Sequence, residues 1–161
     1  MSEDKIEKQI VLKASMDRVW NALADSQAFG TWFGMKIEGP FETGKTVKAV
    51  ITPTKVDPEV AEQQKPYEGV EFELCIEDVK PNQRLAFRWH PYKTDDDKDL
   101  WSQPSTLVSF NLTQQPDGIH LTVTEEGFQN IPLDLRAKAF ASNCEGWAIQ
   151  VQLIGKYLAH G

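Results

Sequence analysis

The segment 133–158 constrains this chain more than any other. Leu133, Ala137, Phe140, Cys144, Trp147, Val151, Ile154 and Leu158 follow alternating steps of four and three, the spacing of one face of an α-helix. Ala141, Ala148 and Gly155 widen that stripe with small residues. Pro132 suits a first helical turn, where its missing N–H would have had no partner. The pattern predicts a helix of roughly 27 residues, about 40 Å long at 1.5 Å per residue. A coiled coil would show flanking e/g charges, and these are missing. The whole stripe is therefore expected to lie on a sheet of the same chain. Its small residues would let the sheet approach closely in places and leave room in others.

The sheet is written upstream. From about Gly39 to Gly127 the hydrophobic period is two. Val47, Ala49 and Ile51 share one parity, and Val70, Phe72, Leu74 and Ile76 alternate with Glu71, Glu73, Cys75 and Glu77. Pro81-Asn82 turns the chain into Leu85, Phe87 and Trp89, and Pro116-Asp117-Gly118 joins Val108, Phe110 and Leu112 to Ile119, Leu121 and Val123. Hairpins of this kind give an antiparallel sheet with one apolar face. A further strand is expected over residues 5–13. After it Ser15 can cap a helix bearing Met16, Val19, Trp20 and Leu23, and Gly30 and Gly34 bracket Trp32-Phe33 in a kinked or paired helix. Two segments interrupt the alternation. Pro53 to Pro66 reads as an ordered excursion or a loop, and Tyr92 to Pro104, with Asp95, Asp96, Asp97 and Asp99, reads as a solvated loop. Strands followed by one long helix define an α+β order, and residues 1–161 are expected to form a single domain.

A formal charge of -7 argues against nucleic acid and against an anionic membrane surface. No run approaches the roughly 18 apolar residues of a membrane span. The polar start, Met1-Ser-Glu-Asp-Lys, does not resemble a secretory signal, so a cytoplasmic location is expected. Cys75 and Cys144 read as two buried thiols, unpaired. Nothing in the residues sets the oligomeric state.

Chemistry is sparse. His90, His120 and His160 lack metal-ligand spacing, the glycines form no phosphate loop, and no metal or cofactor is expected. Glu125 is the catalytic candidate. It extends the parity of Ile119, Leu121 and Val123, which sends a carboxylate to the apolar face, where desolvation raises a pKa unless a partner compensates. The alternative is a strand that ends or bulges at Glu125-Glu126-Gly127. Trp32, Phe33, Trp89, Phe110, Phe128, Phe140 and Trp147 are the ligand-binding candidates, because they describe the lining of a mostly apolar pocket as well as a core. An enclosed cavity between helix and sheet, lined by Trp89, Phe110, Phe140 and Trp147, is expected.

Local motifs add a resemblance. Ala14-Ser-Met-Asp-Arg-Val-Trp-Asn-Ala-Leu-Ala-Asp25, Trp32-Phe33, Val79-Lys-Pro-Asn-Gln-Arg-Leu-Ala-Phe-Arg-Trp89, Leu121-Thr-Val-Thr-Glu-Glu-Gly-Phe128 and Asn143-Cys-Glu-Gly-Trp147 occur in order along nearly the whole chain. Together they resemble the START-like (SRPBCC) superfamily, and within it domains similar to the C-terminal domain of the activator of the heat-shock protein 90 ATPase. The resemblance implies a helix-grip fold, a curved antiparallel sheet wrapped around a long C-terminal helix with two short N-terminal helices. It also implies a binding module, linked to stress response, for a small hydrophobic ligand, a chaperone or another protein partner. A small enzyme of polyketide-cyclase or hydrolase type, using Glu125, is the alternative the superfamily offers.

Overall fold

The structure is a computed structural model that describes residues 5–160. Strand β1 (Lys5–Leu12) buries Ile6 and Leu12 on the expected parity. Ser15 then caps helix α1 (Met16–Ala24), its hydroxyl oxygen accepting from the Arg18 N–H at 3.3 Å. Asp25 closes α1 and caps α2 (Ser26–Phe33), so the kink falls at Asp25 and not at a glycine. Gly30 lies inside α2, where a Cβ would stand 2.2 Å from the Met35 carbonyl oxygen. Gly34 ends the helix in the left-handed region, φ +102°.

A three-residue strand β2 (Met35–Ile37), too short to show a period, precedes β3 (Thr46–Ile51). The excursion after β3 is ordered. It holds helix α3 (Pro58–Gln64) and a 3₁₀ turn, Lys65–Tyr67. The Asp57 carboxylate accepts from the Glu59 and Val60 N–H groups, and Pro58 occupies the first turn. Strands β4 (Glu71–Lys80), β5 (Arg84–Trp89), β6 (Thr106–Gln115) and β7 (Gly118–Glu126) follow as hairpins, with one register shift in β4 between Ile76 and Asp78. The chain ends in helix α4 (Leu133–His160). The strands form one antiparallel sheet in the order β1-β7-β6-β5-β4-β3-β2, curved against α4. This is the expected helix-grip α+β architecture.

The face α4 turns inward differs from the predicted stripe. Trp147, Val151, Ile154 and Leu158 are buried, but Leu133 is 77% exposed and Ala137, Ala141 and Ala148 face solvent. The inward line runs through Ala139, Asn143, Trp147, Gln150, Ile154 and Leu158. At 3.6 residues per turn its centre lies roughly 130° around the helix from the exposed alanines. Alanine tolerates either side, so small apolar residues drew the stripe off the true axis. Both cysteines are free, and both are half-buried where full burial was expected.

Candidate functional site

Strand β7 keeps its alternation to the end. Ile119, Leu121, Val123 and Glu125 all point inward, and Glu125 is fully buried. It sits opposite Ile6 of β1 and Val108 of β6, so the strand neither ends nor bulges before it. Two residues before Val108 on the same face is Thr106, whose register partner on β5 is Trp89. From above, α4 brings Asn143 and Trp147, four apart and therefore on one side of the helix.

These four side chains surround the carboxylate. Oε1 accepts from Asn143 Nδ2 and from Trp147 Nε1, each at 2.8 Å. Oε2 accepts from Trp89 Nε1 at 2.7 Å and from Thr106 Oγ1 at 2.6 Å. The two indole N–H groups and the amide N–H can only donate, while the hydroxyl can do either. All four partners are neutral. Arg88, next to Trp89 in β5, points outward, and its Nε donates to Glu77 at 2.8 Å. Each oxygen thus accepts two hydrogen bonds. Through them Glu125 ties α4 to β5, β6 and β7.

Of the aromatic candidates, Trp32, Phe33, Trp89, Phe110 and Trp147 converge. Phe33 lies with its ring centroid 6.1 Å from that of Trp89 and 5.8 Å from that of Trp147, and Trp147 lies 5.7 Å from Phe110. The Trp32 indole N–H donates to the Ala22 carbonyl at 2.9 Å. Phe128 and Phe140 pair with each other, centroids 5.2 Å apart. The expected enclosed cavity is closed. The interstices among Trp32, Phe110, Leu121, Trp147, Gln150 and Ile154 amount to about 150 Å³, with no space for a water molecule. The reason is twofold: the rings fill one another's gaps with help from Phe29 and Phe87, and Ala141 and Ala148, which were to leave room, are on the outside.

At the rim of this packed interior, α2, α3 and α4 meet on one atom. The Phe33 carbonyl oxygen accepts from Gln64 Nε2 at 3.0 Å and from Gln150 Nε2 at 3.1 Å. Gln64 Oε1 accepts from the Thr54 N–H at 2.7 Å, and Gly34 is the residue that makes space for the Gln64 amide, since a Cβ there would lie 2.5 Å from it. Gln150 Oε1 is buried and has no hydrogen-bond partner. Asn143, Gln150, Thr106 and Gln64 were all missed in the sequence. For Asn143 and Gln150 a signal existed, because they flank Trp147 at helical spacing on its own face.

On the opposite face of the sheet the loop after β5 is fixed in place. Trp101 packs on His90 with centroids 4.6 Å apart and donates to Glu73 at 2.8 Å. Burial pushes the His90 imidazole below its ordinary pKa, opposed by its contact with the Gln103 carbonyl and by Glu73. Asp95, Asp96, Asp97 and Asp99 are exposed, and no group of metal-ligating side chains occurs among the described residues. No helix among the described residues is long and apolar enough to cross a membrane.

A curved antiparallel sheet gripping one long helix is the helix-grip architecture of the START-like class. The chain belongs to the family of activator of Hsp90 ATPase homolog 1-like proteins, whose model matches residues 13–159. No curated protein matches it significantly. Among solved structures it is similar to protein MLL2253 from Mesorhizobium loti, with 20% identity, 97% of each chain covered and TM-score 0.70. It is similar to the Aha1 dimer from Colwellia psychrerythraea, with 16% identity, 96% of this chain and 95% of that one covered, TM-score 0.66. It is also similar to DynU16, a putative protein in the dynemicin biosynthetic locus, with 23% identity and TM-score 0.68. There 97% of this chain matches, but it spans about half of its counterpart, 47%. At these identities the likeness concerns the fold.

Proposed function

We propose that the chain is a non-catalytic, single-domain binding module of the activator-of-Hsp90-ATPase-like family, engaging an apolar ligand or a protein client at the rim of the helix–sheet interface. The observation that carries this reading is the saturated carboxylate. A general acid or base must reach a proton on its substrate, and both oxygens of Glu125 are already engaged by Trp89, Thr106, Asn143 and Trp147. An enclosed-cavity carrier needs room that the ring packing removes, as does a cavity enzyme. The packing favours the groove form of binding over an enclosed one, and the rim where Phe33, Gln64 and Gln150 come together is the place we assign to it. One structural neighbour comes from a biosynthetic locus and another is a dimer, which supports small-molecule and protein partners respectively. A cytoplasmic setting fits both.

The test is to titrate purified protein with an apolar fluorophore, displace it with hydrophobic competitors, and recover the competitors for mass analysis. The expected result is saturable binding with every competitor recovered unchanged. A competitor chemically altered by the wild-type protein but not by a folded Glu125→Gln variant would overturn the reading.

A further inference from the structure

The Gln150 side chain is half-satisfied in an unusual way. Its Nε2 donates to the Phe33 carbonyl, and its Oε1 is buried without a donor. A buried amide oxygen left unpaired costs free energy that water would normally relieve, yet the adjoining interstices admit no water. The Phe33 oxygen also holds the Gln64 amide, so the side chains of Gln64 and Gln150 are neighbours. Gln64 is the last residue of α3, and neither α3 nor the following 3₁₀ turn buries a single residue. This segment is held by the Gln64 amide, by an exposed ion pair between Asp57 and Lys156 of α4, and by half-buried Val56 and Val60.

Its ends are firmer. Thr54 is buried, with its hydroxyl donating to the Trp32 carbonyl at 2.9 Å, and the Gly69 N–H donates to the Ile51 carbonyl at 2.9 Å with φ +91°. Residues 57–67 can therefore lift as a unit between Thr54 and Gly69. When they do, the Phe33 carbonyl keeps the Gln150 amide, and the Thr54 N–H is the group that gives up its partner, the Gln64 oxygen.

We infer that residues 57–67 are a lid over a ligand site, and that Gln150 Oε1 is its polar handle. The site takes a small, flat, largely apolar molecule with a single N–H or O–H donor. The donor pairs with Gln150 Oε1, and the apolar body takes the space left by the Gln64 side chain against Phe33. This rests on the binding-module reading and names the ligand class for it.

Indole and its isostere indene, which lacks the N–H, are the probes, with binding followed by NMR on the full chain. The wild type is expected to bind indole about tenfold more tightly than indene, the worth of one buried hydrogen bond. Gln150→Leu should abolish that preference while retaining weak binding of both. Gln64→Ala, which releases the lid, should strengthen both. If Gln150→Leu does not fold, Gln150→Met serves in its place. Equal affinity of the wild type for the two probes, or no binding even by Gln64→Ala, overturns the inference. If indole fails while the apolar fluorophore binds, this site is wrong and the binding-module reading stands; if neither binds, both fall.

Discussion

Replacing Glu125 with alanine removes the acceptor for four donors at once. Trp89 and Asn143 are half-buried and can turn toward water, but Trp147 and Thr106 cannot: they are 3% and 0% exposed. Each buried donor left without a partner costs about 1–3 kcal/mol, so Glu125→Ala is expected to lose about 2–6 kcal/mol. Glu125→Gln keeps the shape but replaces one oxygen with an NH₂. On the Oε1 side that NH₂ would oppose the buried Trp147 indole, since the Asn143 amide can flip and accept; on the Oε2 side it would oppose the half-buried Trp89 indole, which can turn toward water, since the Thr106 hydroxyl can turn and accept. The glutamine variant should choose the second arrangement and lose about 1–3 kcal/mol. Urea unfolding followed by far-ultraviolet circular dichroism measures both. A Glu125→Ala variant within about 0.5 kcal/mol of wild type, the range of an ordinary surface substitution, would refute the structural role assigned to the carboxylate.

Other consequences are equally open to measurement. Trp147→Ala should cost about 3–5 kcal/mol, the range for a buried large aromatic, while Leu133→Glu should leave stability within about 0.5 kcal/mol, since that side chain is 77% exposed; the same denaturation assay reads both. Gly34→Ala should destabilise by at least about 1–2 kcal/mol for the left-handed backbone alone, and Gln64→Ala in the same chain should relieve the added collision with the Gln64 amide, which a double-mutant cycle detects. His90 is held below its ordinary value of 6.5, so the unfolded chain takes up its proton first on acidification. Its contribution is therefore complete above that value and lost as pH falls from it toward the folded pKa; His90→Gln should flatten this part of the stability profile. Asp57 is held below its ordinary 3.8, first by its hydrogen bond to Lys156. That tie is present above the ordinary carboxylate range and is lost as pH falls through the folded value, so amide exchange in residues 57–67 should quicken in acid before the sheet does.

Much of the fold was legible because its signals are periodic. The alternation of β4 through β7 located their inward faces, and continuing that alternation by one step placed Glu125 inside. The short elements were harder. Strand β2 has no room for a period, and α3 was announced only by Asp57-Pro58-Glu59, a cap and first turn that three prolines between 53 and 66 obscured. The aromatic candidates were correctly placed near one another in five of their positions, but packing decides whether such a set encloses space. That depended on the rotation of α4, which Ala137, Ala141 and Ala148 misreported because alanine signals neither inside nor outside. The polar partners Asn143 and Gln150 lay on the true axis, where a search for apolar residues passes over them.

Glu125 is buried and holds four donors, and the indole N–H resonances of the tryptophans test this directly. In ¹⁵N-labelled protein those of Trp89 and Trp147 should exchange slowly with solvent, and both should move in Glu125→Gln, while those of Trp20 and Trp101, whose indoles do not contact the carboxylate, stay in place. Rapid exchange of the Trp147 resonance, or a Glu125→Gln spectrum in which neither Trp89 nor Trp147 moves, would contradict the account and return the carboxylate to the catalytic candidates.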